Sequence, residues 1–130
     1  MAENVTLSFV RAINQHDVEA LVALMTPGHQ FIDALGKVVE GRENLKLAWG
    51  GYFQMVPDYS IIPLETLSDG PLVVLLGLAR GTYTADGWLK EENRWETPAA
   101  FRALIKDWKV AEWRVYADNE PIRERMRLSK

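Results

Sequence analysis

Two stretches near the C-terminus decide the fold: Trp95-Glu96-Thr97-Pro98-Ala99-Ala100-Phe101-Arg102-Ala103-Leu104-Ile105, and Val110-Ala111-Glu112-Trp113-Arg114-Val115-Tyr116-Ala117-Asp118. Both alternate with the period of two expected of strands that bury one face. In the first, Trp95, Thr97, Ala99, Phe101 and Ala103 share a side, opposite Arg94, Glu96, Pro98, Ala100 and Arg102. In the second, Trp113, Val115 and Ala117 face away from Glu112, Arg114, Tyr116 and Asp118. The polar link Lys106-Asp107-Trp108-Lys109 joins them as a hairpin, and the upstream chain reads as the cover for its apolar side.

Working back toward the N-terminus, Leu72 to Thr84 and Tyr59 to Leu67 read as two more long strands, with turns at Ala85-Asp86-Gly87 and Ser68-Asp69-Gly70-Pro71. Pro63 predicts an edge position or a bulge, because proline lacks a ladder donor. Gly77 and Gly81 predict curvature or room for a ligand. Ahead of these strands, Leu45, Ala48, Trp49, Tyr52 and Phe53 form the stripe of a helix that opens at Gly41 and stops at Pro57. His29 to Asp33, the turn Ala34-Leu35-Gly36 and Lys37 to Glu40 predict a small hairpin. Two helices come first. Asn4 is the expected cap of one carrying Val5, Phe9, Ala12 and Ile13, and Asp17 that of a shorter one carrying Val18, Leu21, Val22, Leu24 and Met25 and ended by Pro27-Gly28. The order predicts an α+β fold in which three helices cover one face of a curved antiparallel sheet and leave a conical hollow.

A chain of 130 residues, 48% hydrophobic and 25% charged, fits one domain spanning 1–130 with an ordinary core. The absence of cysteine excludes thiol catalysis and disulfides and suits a cytoplasmic protein. A net charge of −3 gives no footprint for nucleic acid, and the basic run Arg123 to Lys130 reads as a solvated tail. The apolar run Leu72 to Leu76 is too short to span a bilayer, and the first residues lack an export signal.

Phe9-Val10-Arg11-Ala12-Ile13-Asn14 ahead of Asp17, the stretch Phe31-Ile32-Asp33, the helix opening Glu40-Gly41-Arg42 and the ending Val110 to Tyr116 together resemble the nuclear transport factor two-like superfamily. Within it, the chain is most similar to the SnoaL-like and ketosteroid isomerase-like branch. That resemblance implies a cone-shaped roll, which hosts enzymes, binding proteins and scaffolds alike. It also implies a homodimer paired through the outer sheet face.

Asp33 is the expected catalytic residue, a general base if it lies in the wall of an apolar cavity; by resemblance it matches the proton-moving aspartate of ketosteroid isomerases. The competing reading is a turn aspartate that accepts backbone amides. By the same resemblance, the positions matching that enzyme's oxyanion donors are Phe9 and Ala99, neither of which donates from its side chain. Limonene epoxide hydrolases resemble the ending Trp113 to Tyr116, but Val115 stands where they carry an aspartate. A SnoaL-type cyclase needs only one base in an apolar pocket.

The aromatics read mostly as core, and the ligand pocket, if they leave one, comprises Phe9, Ile13, Phe31, Trp49, Tyr52, Phe53, Ala99, Phe101, Trp113 and Val115. His16 and His29 lie by bends without metal-ligand spacing, so neither metal nor cofactor is expected. Arg80, Glu96, Arg102 and Arg114 read as a charge ladder on the outer face, either solvated or part of a subunit contact. Two classes of function follow: a protein that binds a small apolar or carbonyl-containing molecule and moves a proton on it, or a non-catalytic dimeric binding or interaction protein.

Overall fold

The computed structural model describes residues 1–128. Helix α1 (Ala2–Asn14) leads into α2 (Val18–Ala23), strands β1 (Met25–Ile32) and β2 (Val38–Glu40), and helix α3 (Arg42–Met55). Four strands then run as a meander, β3 (Ser60–Asp69), β4 (Leu72–Thr82), β5 (Arg94–Lys106) and β6 (Lys109–Ala117), before helix α4 (Glu120–Leu128). The strands form one six-stranded sheet in the order β2-β1-β6-β5-β4-β3.

The alternation of β5 does what its pattern requires: Trp95, Thr97, Ala99, Phe101, Ala103 and Ile105 are all buried, while Arg94, Glu96 and Pro98 are exposed. In β6, strict alternation would send Val110 and Trp113 to opposite faces. A register shift against Leu104/Ile105 lets both bury completely.

Curvature has an identifiable cause at Pro63. It sits on edge strand β3 beside a register shift, as proline in a sheet should, and its partner across the ladder is Gly77. A Cβ on Gly77 would lie 2.0 Å from the Ile62 carbonyl oxygen, and one on Gly81 would lie 2.3 Å from Val56 Cγ1. The space at these two glycines is taken by neighbouring chain, not by room for a ligand.

Helix α1 buries Phe9, Val10, Ala12 and Ile13 against the concave face, and its last residue locks onto the edge strand. Asn14 accepts the Ile61 N–H at 2.8 Å and donates to the Ile61 carbonyl at 2.9 Å, so one amide side chain continues the ladder where no further strand exists. The N-terminal cap is Met1, and Asn4 lies inside the helix, which corrects its expected capping role. Asp17 does cap α2, accepting the Ala20 N–H at 3.0 Å.

Pro27-Gly28 does not end α2. The helix stops at Leu24, and Met25 through Gly28 already belong to β1, which runs parallel to β6 with Met25 opposite Val110 and Phe31 opposite Trp113. The pairing is irregular between Met25 and Gln30, where Pro27 has no N–H to offer. Arg42 fastens the start of α3 to this strand, donating from Nε and Nη2 to the Met25 carbonyl at 3.0 and 2.7 Å.

The basic tail is also corrected. Arg123 to Leu128 lie in α4, where Ile122 is buried and Met126, one turn later, packs against the core; Ser129 and Lys130 lie outside the described residues. Asp118 accepts the Glu120 N–H at 2.9 Å at the helix start, and Glu120 pairs with Arg127. Two apolar positions among so many charges leave almost no periodic signal.

Replacing Gly77 by alanine forces its methyl into a backbone carbonyl that cannot yield without opening the β3–β4 bulge. Gly77→Ala is expected to lower stability by about 3 kcal/mol, read from the urea midpoint, whereas Gly28→Ala, with open space at its Cβ, is expected to be near neutral.

Candidate functional site

A cavity of about 350 Å³ opens between the concave sheet and α3. Phe31, Val39, Trp113, Val115 and Ala117 contribute from β1, β2 and β6, and Ala79, Trp95 and Thr97 from β4 and β5. Leu45, Ala48, Trp49 and Tyr52 come from α3, Tyr59 from the segment after it, and Asp33, Ala34 and Asn119 complete the wall.

The aromatic lining forms a continuous chain of ring contacts. Phe31 meets Trp49 at 5.6 Å and 77°, Trp49 meets Tyr52 at 6.4 Å and 88°, Tyr52 meets Tyr59 at 5.0 Å and 87°, and Tyr59 meets Trp95 at 6.1 Å. Edge-to-face contact sets positive ring edges against negative faces, and rings meeting near right angles make walls and corners.

Tyr59 owes its position to three fixings. Its N–H donates to the Val56 carbonyl, its carbonyl accepts His16 Nε2 at 2.7 Å, and its neighbour Asp58 accepts the Thr82 N–H and hydroxyl at 2.6 and 2.7 Å. His16, in a left-handed conformation at φ 55°, also stacks on Phe53 at 4.3 Å. Burial raises the Tyr52 hydroxyl well above its ordinary pKa; burial raises Tyr59 too, and the neighbouring Tyr52 adds to it. Both hydroxyls therefore stay protonated across the physiological range.

Asp33 is partly exposed in the cavity wall. Its Oδ1 accepts the N–H groups of Leu35 and Lys37 at 2.9 and 3.0 Å, which is the turn aspartate reading realised. Its Oδ2 makes no hydrogen bond among the described residues. Backbone amides thus fix the side chain by one oxygen.

Of the residues expected in the pocket, Phe31, Trp49, Tyr52, Trp113 and Val115 line the cavity, while Phe9, Ile13, Phe53, Ala99 and Phe101 are buried and do not line it. The reason is layering. Phe9 and Phe101 pack on Trp113 at 4.9 and 5.3 Å, and Phe53 packs on Trp49 at 5.5 Å, so these rings support the wall. Sequence reasoning missed Tyr59, Trp95, Thr97 and Asn119. Trp95 and Thr97 could have been found, since they share the inward side of β5 with Ala99, and Tyr59 opens a stretch read as strand; Asn119 lies outside any periodic stretch.

No group of histidine, cysteine, aspartate or glutamate side chains suited to a metal ion occurs among the described residues, and none of their helices is long and apolar enough to cross a membrane.

A helix-covered, conical α+β roll with an aromatic cavity and one carboxylate in its wall defines a protein of the nuclear transport factor two-like, ketosteroid isomerase-like fold. Residues 7–118 match the SnoaL-like domain family, and the chain belongs to it. Among solved structures, a protein described as a SnoaL-like polyketide cyclase from Shewanella denitrificans superimposes with a TM-score of 0.84 at 14% identity, covering 98% of this chain and 97% of that one. Another so described, from Jannaschia, gives 0.81 at 19% identity, covering 94% and 88%. A protein with a ketosteroid isomerase-like fold from Catenulispora acidiphila, in complex with trimethylamine, gives 0.74 at 15% identity, covering 86% and 83%. These likenesses establish the fold. No curated protein matches the sequence.

His29 is fully buried beside the cavity wall, with its ring 5.7 Å from Phe9. Its Nδ1 donates to the Val110 carbonyl at 2.6 Å, and Nε2 has no partner among the described residues. Burial pulls its pKa below the ordinary 6.5, against the opposing effect of that hydrogen bond. As pH falls below 6.5 the unfolded chain therefore takes up this proton first, and the folded state loses stability. His29→Gln is expected to cost about 1–3 kcal/mol at pH 7.5 through the disturbed hydrogen bond, yet to show a smaller further loss on going to acid, measured by urea unfolding at both pH values.

Proposed function

We propose that this SnoaL-like domain binds a small, largely apolar molecule in its aromatic cavity and moves a proton next to a carbonyl group, with Asp33 as the base. The observation that carries this reading is Asp33 in a largely apolar wall, with Oδ2 free of hydrogen bonds among the described residues. The carboxylate takes a proton from the carbon beside the carbonyl, the electron pair moves onto oxygen as an enolate, and the protonated Asp33 returns the proton to the same or another carbon. The hydroxyls of Tyr52 and Tyr59 are the donors available to the developing oxyanion, in place of the side chains missing at Phe9 and Ala99. Isomerisation and aldol cyclisation both fit this class, and neither needs a metal or cofactor. The trimethylamine complex of the Catenulispora protein supports small-molecule binding by this fold. The chain is read as one cytoplasmic domain.

A test uses 2-tetralone, a flat ketone with an acidic C–H, in D2O. The protein is expected to accelerate its exchange, Asp33→Asn to lower that rate by about 100-fold and Tyr52→Phe by about tenfold. Exchange unaffected by Asp33→Asn removes the base.

One observation favours a second reading, a dimeric binding protein. The outer sheet face sets Ile62, Leu78 and Pro98 in one row and Leu76, Ala100 and Tyr116 in the next, with Leu76 and Tyr116 exposed. Around them Arg80 approaches Glu96 at 4.0 Å, Arg102 pairs with Glu112, and Arg114 lies over the Tyr116 ring at 5.0 Å. An apolar centre with a charged rim suits pairing of two copies across a two-fold axis. Sedimentation is expected to find a dimer that Leu76→Glu converts to monomer without loss of secondary structure.

A further inference from the structure

We infer that the cavity takes a ligand carrying a compact alkylated ammonium group, held by the faces of its aromatic rings and by the charge of Asp33; this rests on the reading of the cavity as a ligand site. The rings are the first support. Phe31, Trp49, Tyr52 and Tyr59 meet in succession near right angles, so the lining encloses space with ring walls on several sides. Ring faces carry negative potential and attract a cation brought out of water, most strongly for tryptophan.

The indole nitrogens are the second support. Trp49, Trp95 and Trp113 all line the cavity, but each Nε1 is buried without a partner among the described residues, so what these residues offer a ligand is ring carbon and not an N–H donor. A ligand rich in acceptor oxygens would find only the tyrosine hydroxyls, Thr97 and Asn119 to answer it.

Charge is the third support. Among the described residues, Asp33 is the one acidic side chain in the wall, and no lysine, arginine or histidine lines the cavity. A carboxylate or phosphate would meet repulsion from Asp33 with no cation to offset it. An unsubstituted ammonium would have to exchange its full set of hydrogen bonds to water for the few scattered acceptors of a largely apolar wall. An alkylated ammonium has few or no N–H groups to satisfy, presents methyl surface to the rings and keeps its charge for Asp33 Oδ2. The carboxylate serves as counter-ion in its ionised form, which is also the form that accepts a proton.

Choline and its uncharged carbon isostere 3,3-dimethylbutan-1-ol separate charge from shape. In calorimetric titrations at matched ionic strength, choline is expected to bind about tenfold more tightly than the isostere. Asp33→Asn, which keeps an acceptor for Leu35 and Lys37, is expected to weaken choline by about tenfold and leave the isostere unchanged. Tyr52→Phe keeps the ring and is expected to keep the preference for choline. Equal or tighter binding of the isostere overturns the ammonium inference and leaves the cavity reading standing. Absence of binding by both probes overturns the two together.

Discussion

The parallel pairing of β1 against β6 is the contact on which the cavity depends. It places Phe31 beside Trp113 and, one step beyond the end of the ladder, brings Asp33 to the wall that Val115 shares. Side chains in a strand alternate between faces, so a slip of one residue would turn Phe31 outward and take the carboxylate with it. The register is held from inside by His29, which reaches the Val110 carbonyl across 81 positions of sequence, and at its start by the Val110 N–H donating to Leu24. Arg42 adds a charge-assisted pair of hydrogen bonds to the carbonyl of Met25.

Curvature comes from departures from regular pairing. Shifts of register beside Pro63 on β3 and beside Ile105 against β6 bend the sheet at two places. Gly77 lets the Ile62 carbonyl approach, and Gly81 lets the segment after α3 fold down on β4. That second approach presents Tyr59 to the cavity. Two glycines chosen for backbone contact thus shape a wall to which they contribute no side chain.

The cavity wall has two layers with different tasks. Phe31, Trp49, Tyr52, Tyr59 and Trp95 face the space, while Phe9, Phe53 and Phe101 hold the wall from the core. Such support limits the freedom of the lining rings. The buried, unpartnered indole nitrogens are polar groups left unsatisfied at a cost, the kind of local inconsistency expected near functional sites.

Much of the architecture was legible because its signals are local. The two-residue period of Trp95 to Ile105, the helical stripe from Leu45 to Phe53 and the stops at Gly41 and Pro57 depend only on which neighbours share a face. Asp33 was legible as a candidate for either base or turn, since its residue type and the following Ala34-Leu35-Gly36 are compatible with both. The parallel neighbour of β1, the last helix and the division of ten pocket residues into wall and support were decided by the tertiary structure. Each depends on residues far apart in sequence: Pro27-Gly28 becomes strand because β6 lies alongside, and Ile122 and Met126 make a helix because a core awaits them. By itself, then, the amino-acid sequence determined the elements and the buried side of each. Which buried side chains meet open space was settled only by the register and curvature of the folded sheet, because period-two and period-3.6 patterns mark burial and are blind to what lies on the other side of it.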